Sequence, residues 1–124
     1  MKPEEILNKW ADSINNGKID LTLGLYSKNA SLLPTFSEKA YLGVDIIKEY
    51  FDKLSLNKSV QVNFIKDSIV IEKLADNIFS TGGFYDWVID SGKKFSNIKA
   101  RFTFVLDLNS STPIIHHHSS VVPR

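Results

Sequence analysis

Cysteine is absent from the 124 residues, which excludes disulfides, thiolate catalysis and zinc–cysteine sites together. Neither sign of charge is in excess: fifteen basic and fourteen acidic residues leave a formal charge of +1, without long runs of one sign. That removes the electrostatic footprint of a nucleic-acid or membrane-surface binder. No window approaches the roughly 18–20 apolar residues that a membrane span needs. The start, Met1-Lys2-Pro3-Glu4-Glu5, turns acidic at once and no apolar stretch follows it. No secretory leader is read there, and a soluble, cytoplasmic protein is expected. Glycine-rich phosphate loops, nucleophile elbows and dinucleotide fingerprints are also lacking, because Gly82-Gly83 sits inside strand-like sequence. No cofactor is expected.

What is present suits one soluble domain spanning 1–124. A hydrophobic fraction of 43% over that length supports one sizeable core and not two. Pro3, Glu4 and Glu5 suit the first turn of a helix whose apolar positions Ile6, Leu7, Trp10, Ala11 and Ile14 form one stripe. Asn15-Asn16-Gly17 stops it. Asp20 can cap a second, shorter helix burying Leu21, Leu25 and Tyr26. A short strand is read over 30–33, ended by Pro34, and 35–42 reads as irregular. Gly43 and Asp45 introduce a third helix through Ile46, Ile47, Tyr50, Phe51 and Leu54.

From Lys58 the period switches to two. Val60, Val62 and Phe64 continue into Ile69-Val70-Ile71 after a bulge near Lys66-Asp67, and a strand over 78–89 carries a bulge or bend at Gly82-Gly83. Residues 98–106 and 114–120 form a hairpin across Asn109-Ser110-Ser111-Thr112-Pro113. Helices followed by an antiparallel meander mean α+β, and a bulged, curved sheet with three N-terminal helices on its concave side makes a cone. The convex side has no remaining chain to cover it, so a homodimer through the sheet is expected.

Several residues could carry chemistry in such a cone. Alternation within each strand allows Arg101 and His117 to fall on matching faces of neighbouring strands. The pair could clamp an acidic ligand; alternatively Arg101 pairs with Asp86 or Asp67 and backbone satisfies His117. Asp86, beside Tyr85, is a candidate acid or base with His117, or a solvated strand residue. Trp10, Tyr26, Phe36, Tyr50, Phe51, Phe84, Tyr85 and Trp87 could line a pocket or belong to the plain core, and Trp10 and Tyr26 are those nearest the expected cavity. His116 and His118 share a face but lack a third ligand, so no metal site is read. Hydrogen bonding at the convex face or the dimer contact is their expected role.

The segments Trp10-Ala11-Asp12-Ser13-Ile14-Asn15-Asn16-Gly17, Leu25-Tyr26-Ser27, Gly43-Val44-Asp45-Ile46-Ile47, Lys99-Ala100-Arg101-Phe102-Thr103-Phe104 and Ile115-His116-His117-His118-Ser119-Ser120 resemble the nuclear transport factor 2-like superfamily. The nearest branch is that of bacterial proteins similar to the association domain of calcium/calmodulin-dependent kinase II. The resemblance implies a cystatin-like roll, an Arg101 pointing into the cone, and His117 and Ser119 lining the same cavity. Ser111-Thr112-Pro113 replaces the branch's Gly-Lys-Trp, and Ser119 stands where the kinase domain has a second arginine. The superfamily also holds steroid isomerases, dehydratases and SnoaL-related polyketide cyclases, whose acid–base residues find no match here. Three functions therefore stand at this point: a homodimeric binder of a small, partly apolar, acidic molecule; an acid/base enzyme using the same pocket; and an oligomerisation module.

Overall fold

Apolar spacing decides the helices. In the computed structural model, which describes residues 1–123, α1 (Pro3–Asn15) begins at a proline whose missing N–H is no loss in a first turn. Its stripe of Ile6, Leu7, Trp10, Ala11 and Ile14 is buried as the spacing predicts. Gly17 ends the run at φ 69°, a left-handed conformation that glycine adopts without a steric penalty. The next helix, α2 (Ile19–Leu23), turns a different side inward: Thr22 is buried and Leu21 is 59% exposed. Tyr26 does not close α2 but opens strand β1 (Tyr26–Leu33), and it enters the core from there.

A two-residue strand, β2 (Tyr41–Leu42), pairs with β1 inside the segment read as irregular. Helix α3 (Val44–Leu54) buries Ile47, Tyr50, Phe51 and Leu54 and leaves Ile46 exposed. Five strands follow: β3 (Ser59–Phe64), β4 (Val70–Ala75), β5 (Ile78–Asp90), β6 (Phe95–Asp107) and β7 (Ile114–Val121). The sheet runs β2-β1-β7-β6-β5-β3, with β4 also paired to β5. The C-terminal strand is interior, lying between β1 and β6; its pairing with β1 is parallel and the remaining pairings are antiparallel. Curled around α1 and α3, this is the expected α+β roll. No helix among the described residues is long and apolar enough to cross a membrane.

Two strand expectations are corrected. Residues 59–71 are not one bulged strand: a 3-10 turn, Lys66–Ser68, divides β3 from β4, and the two take successive halves of β5. Nor is there a bulge at Gly82-Gly83, since β5 and β6 keep one register from Ile78↔Asp107 to Asp90↔Phe95. Gly83 instead makes room for the turn. A Cβ there would lie 2.9 Å from Ser68 Oγ and 3.0 Å from the Ser68 carbonyl oxygen. The same hydroxyl donates to the Ile65 carbonyl at 2.6 Å and accepts the Phe84 N–H at 2.9 Å. Gly83→Ala should force the turn off β5 and cost about 1–3 kcal/mol. A lower urea midpoint with unchanged slope would report it; an unshifted midpoint would show that the turn yields freely.

The last residue of α1 protects the outer edge of β3. The Asn15 side-chain amide donates to the Val62 carbonyl at 2.9 Å, and its oxygen accepts the Val62 N–H at 2.7 Å. One side chain thereby takes the place of a neighbouring strand.

Candidate functional site

Strand register decides what faces the hollow. Ala100, Phe102, Phe104 and Leu106 are buried on the inner face of β6. Opposite them, Phe102 pairs with Ser119 and Phe104 with His117. Arg101 pairs with Ser120 on the outer face and is exposed. The expectation that Arg101 and His117 share a face is therefore corrected. A one-residue difference in register flips every side chain. Two phenyl rings gain from burial where an unpartnered guanidinium would lose its hydration. A bulge contributes: Ile114 lies opposite Leu106 but His116 lies opposite Val105, so Ile115 is the extra residue and Ile114 rejoins the inner face.

Asp86 is corrected by the same reasoning. It lies between the buried Tyr85 and Trp87 and so faces outward, in register with Asn63 and Lys99. Among the described residues Arg101 forms no ion pair with Asp86, Asp67 or any other acid. His116 and His118 are also on the outer face, where His116 Nδ1 lies 2.7 Å from Ser31 Oγ. Burial, and then the neighbouring His118, lower the pKa of His116.

The hollow brings together Trp10, Tyr26, His117 and Ser119, joined by Tyr85 and Thr35. The Trp10 indole N–H donates to Tyr26 Oη at 3.0 Å, and that hydroxyl lies 2.9 Å from His117 Nδ1. On the other side of the ring, Nε2 lies 3.1 Å from Tyr85 Oη. Tyr85 donates to Ser119 Oγ at 2.6 Å, and Ser119 meets the Thr35 hydroxyl. A hydroxyl can accept twice, so the indole alone does not set the chain; its direction is set at the other end, where Tyr85 gives its one proton to Ser119 and must accept from Nε2. Nε2 therefore carries the imidazole proton, and Nδ1 of the neutral ring accepts from Tyr26, which accepts in turn from Trp10. Every group from Trp10 to Ser119 is satisfied with a neutral imidazole.

Burial points the same way. His117 is 2% exposed, and desolvation, followed by the charges of His116 and His118, holds its pKa well below the ordinary histidine value. Desolvation likewise raises the phenols of Tyr26 and Tyr85. Rings fill the surrounding space. His117 stacks on Phe104 with centroids 3.9 Å apart and 16° between planes, and Trp10 meets both edge-on. What remains is a void of ≈ 10 Å³ bordered by residues including Tyr50, Trp87, Thr35 and His117, about the room one water needs. The buried Trp87 indole N–H has no hydrogen-bond partner among the described residues.

The hollow offers acid/base chemistry one imidazole, and tyrosine hydroxyls engage both of its nitrogens. Tyr85 stands among the aromatics that could line a pocket, whereas Thr35 escapes a reading of the sequence. The phase of Tyr85 with Trp87 on β5 turns it inward, and nothing in 35–42 marks Thr35.

A family profile described as the calcium/calmodulin dependent protein kinase II association domain matches residues 4–123. No curated protein sequence matches the chain. Among solved structures, a Xanthomonas campestris protein assigned to that association domain is 26% identical, with a TM-score of 0.85 over 98% of this chain and 86% of the other. A ketosteroid isomerase-like protein from Erwinia carotovora atroseptica is 12% identical, with a TM-score of 0.80 over 98% and 94% of the two chains. A nuclear transport factor 2-like protein from Shewanella oneidensis is 17% identical, with a TM-score of 0.69 over 94% of both. The last two likenesses concern the fold alone.

Proposed function

The chain belongs to the calcium/calmodulin-dependent protein kinase II association domain family, and on that premise we propose that it is a self-association module. Its copies join through the outer face of the sheet. One observation carries this reading: the hollow where a ligand would sit is closed by the domain's own side chains down to ≈ 10 Å³. The arginine expected to hold an acidic ligand stands outside it, on a face that displays Arg101, Thr103 and His118 to solvent. A filled interior and an uncovered sheet suit assembly better than capture of a small molecule. Sedimentation at micromolar concentration is expected to give a dimer or larger species. A monomer throughout that range would overturn the proposal.

A second reading, binding of a small molecule in the hollow, has one observation in its favour. The Trp87 N–H beside the residual void approaches Tyr85 but makes no hydrogen bond of normal geometry, so a better-placed acceptor would suit it. No cation among the described residues faces that void, and at ≈ 10 Å³ it must open to admit anything larger than water, so a small neutral carbonyl compound suits it better than the acidic ligand first expected. Titrating small amides and ketones against the indole ¹H–¹⁵N resonance of Trp87 tests this. A saturable shift at that resonance supports the reading, and an unmoved resonance opposes it.

A further inference from the structure

The outer face carries an unbalanced pair of charges whose placement is set by register. Gly82 on β5 lies between Val70 of β4 and Thr103 of β6. From Gly82, one strand toward β4 and one same-face step along β5 toward Ser80 leads to Glu72, which pairs with Ser80. The opposite move, one strand toward β6 and one step toward Phe84, leads to Arg101, which pairs with Phe84. Glu72 and Arg101 thus occupy equal and opposite positions about a residue without a side chain. With strands about 4.8 Å apart and same-face residues about 6.8 Å apart, each lies roughly 8 Å from Gly82 and roughly 17 Å from the other. That is too far for an ion pair within one molecule. Both are exposed, both border one groove of ≈ 570 Å³, and neither has an ion-pair partner among the described residues.

This arrangement is self-complementary. We propose that, in the self-associated form, a twofold axis passes over Gly82 and sets Arg101 of each copy on Glu72 of the partner subunit. The inference rests on the self-association reading and adds the contact that orients it. An axis lying between the two sheets, perpendicular to the line from Arg101 to Glu72, exchanges those two positions. An isologous contact needs this property, because residue i meets residue j and j meets i. Gly82 at the axis lets the backbones approach closely. The same operation carries the half-buried Phe84 toward the partner's Val70, an exposed apolar residue bordering the same groove, so an apolar contact accompanies each ion pair. Arginine suits the role because its fork meets a carboxylate with two parallel hydrogen bonds.

Charge exchange tests this directly. Arg101→Glu alone and Glu72→Arg alone each place like charges together twice per dimer, and each should weaken self-association on the order of 100-fold. An equimolar mixture of the two variants restores both pairs, one chain contributing two acids and the other two arginines. Sedimentation or native mass spectrometry should then show heterodimers with close to wild-type affinity and few homodimers. Both positions are exposed, and far-UV circular dichroism of each variant confirms folding. A wild-type dimer that survives both single reversals, with statistical mixing of the variants, would overturn the Arg101–Glu72 contact and leave self-association standing. A wild-type chain that is monomeric throughout would overturn self-association itself, and this contact with it.

Discussion

His117→Ala is expected to destabilise the domain by about 4 kcal/mol or more, the largest effect of any single substitution considered. Two contributions make up that figure. Tyr26 would keep a buried hydroxyl proton without an acceptor, at about 1–3 kcal/mol, and Tyr85, still donating to Ser119, would lose the bond it accepts, at about 1 kcal/mol. The ring stacked on Phe104 would leave a hole beside Trp10 that rigid neighbouring rings fill only in part. A domain of this size has only about 5–15 kcal/mol in reserve, so the melting temperature should drop by roughly 10–20 °C. His117→Phe separates the contributions. It retains an aromatic ring against Phe104 while still breaking both tyrosine–imidazole bonds, so it should recover only the packing share. A calorimetric midpoint for His117→Ala within a few degrees of wild type would mean that the hydrogen-bonded chain is structurally idle.

The inner face of β6 was legible in the sequence, and its partner's phase was not. Ala100, Phe102, Phe104 and Leu106 announce their burial by alternation alone, as do Ile6, Leu7, Trp10 and Ile14 by helical spacing. Which face of β7 meets them depends on one extra residue at Ile115 and on the path through 109–113, and neither has a compositional mark. An error of one there moved Arg101 into a hollow from which β6's own aromatics exclude it. The family resemblance made the same assignment and could not correct it. Tyr26 shows the complementary difficulty. It continues the apolar spacing of α2, yet the helix ends at Leu23 and the tyrosine reaches the core from a strand. The residues of the site were largely identifiable from their types. Their connections, from Trp10 through Tyr26 and His117 to Tyr85, depend on contacts between residues as many as 91 positions apart, which no local pattern encodes.

The same chain predicts a stability plateau with unequal sides. Burial keeps His117 neutral in the folded state, whereas in the unfolded chain it takes up a proton below about pH 6.5. The unfolded state then binds more protons, so stability falls as the pH drops, by up to about 1.4 kcal/mol per pH unit for this one group. His116, shifted in the same direction, adds to the acid side. The alkaline side has the opposite cause. Burial raises the phenols of Tyr26, Tyr50 and Tyr85, and these keep their protons while the unfolded chain's tyrosines ionise above about pH 10. Here the folded state binds more protons, so stability falls as the pH rises, and three groups can make the slope up to about 4 kcal/mol per pH unit. Urea melts between pH 5 and 11 should therefore show a shallow acid limb and a steeper alkaline one. His117→Gln, which can still accept from one tyrosine and donate to the other, should flatten the acid limb. Tyr85→Phe should take about a third off the alkaline slope. An acid limb as steep in His117→Gln as in the wild type would remove the buried imidazole as its cause.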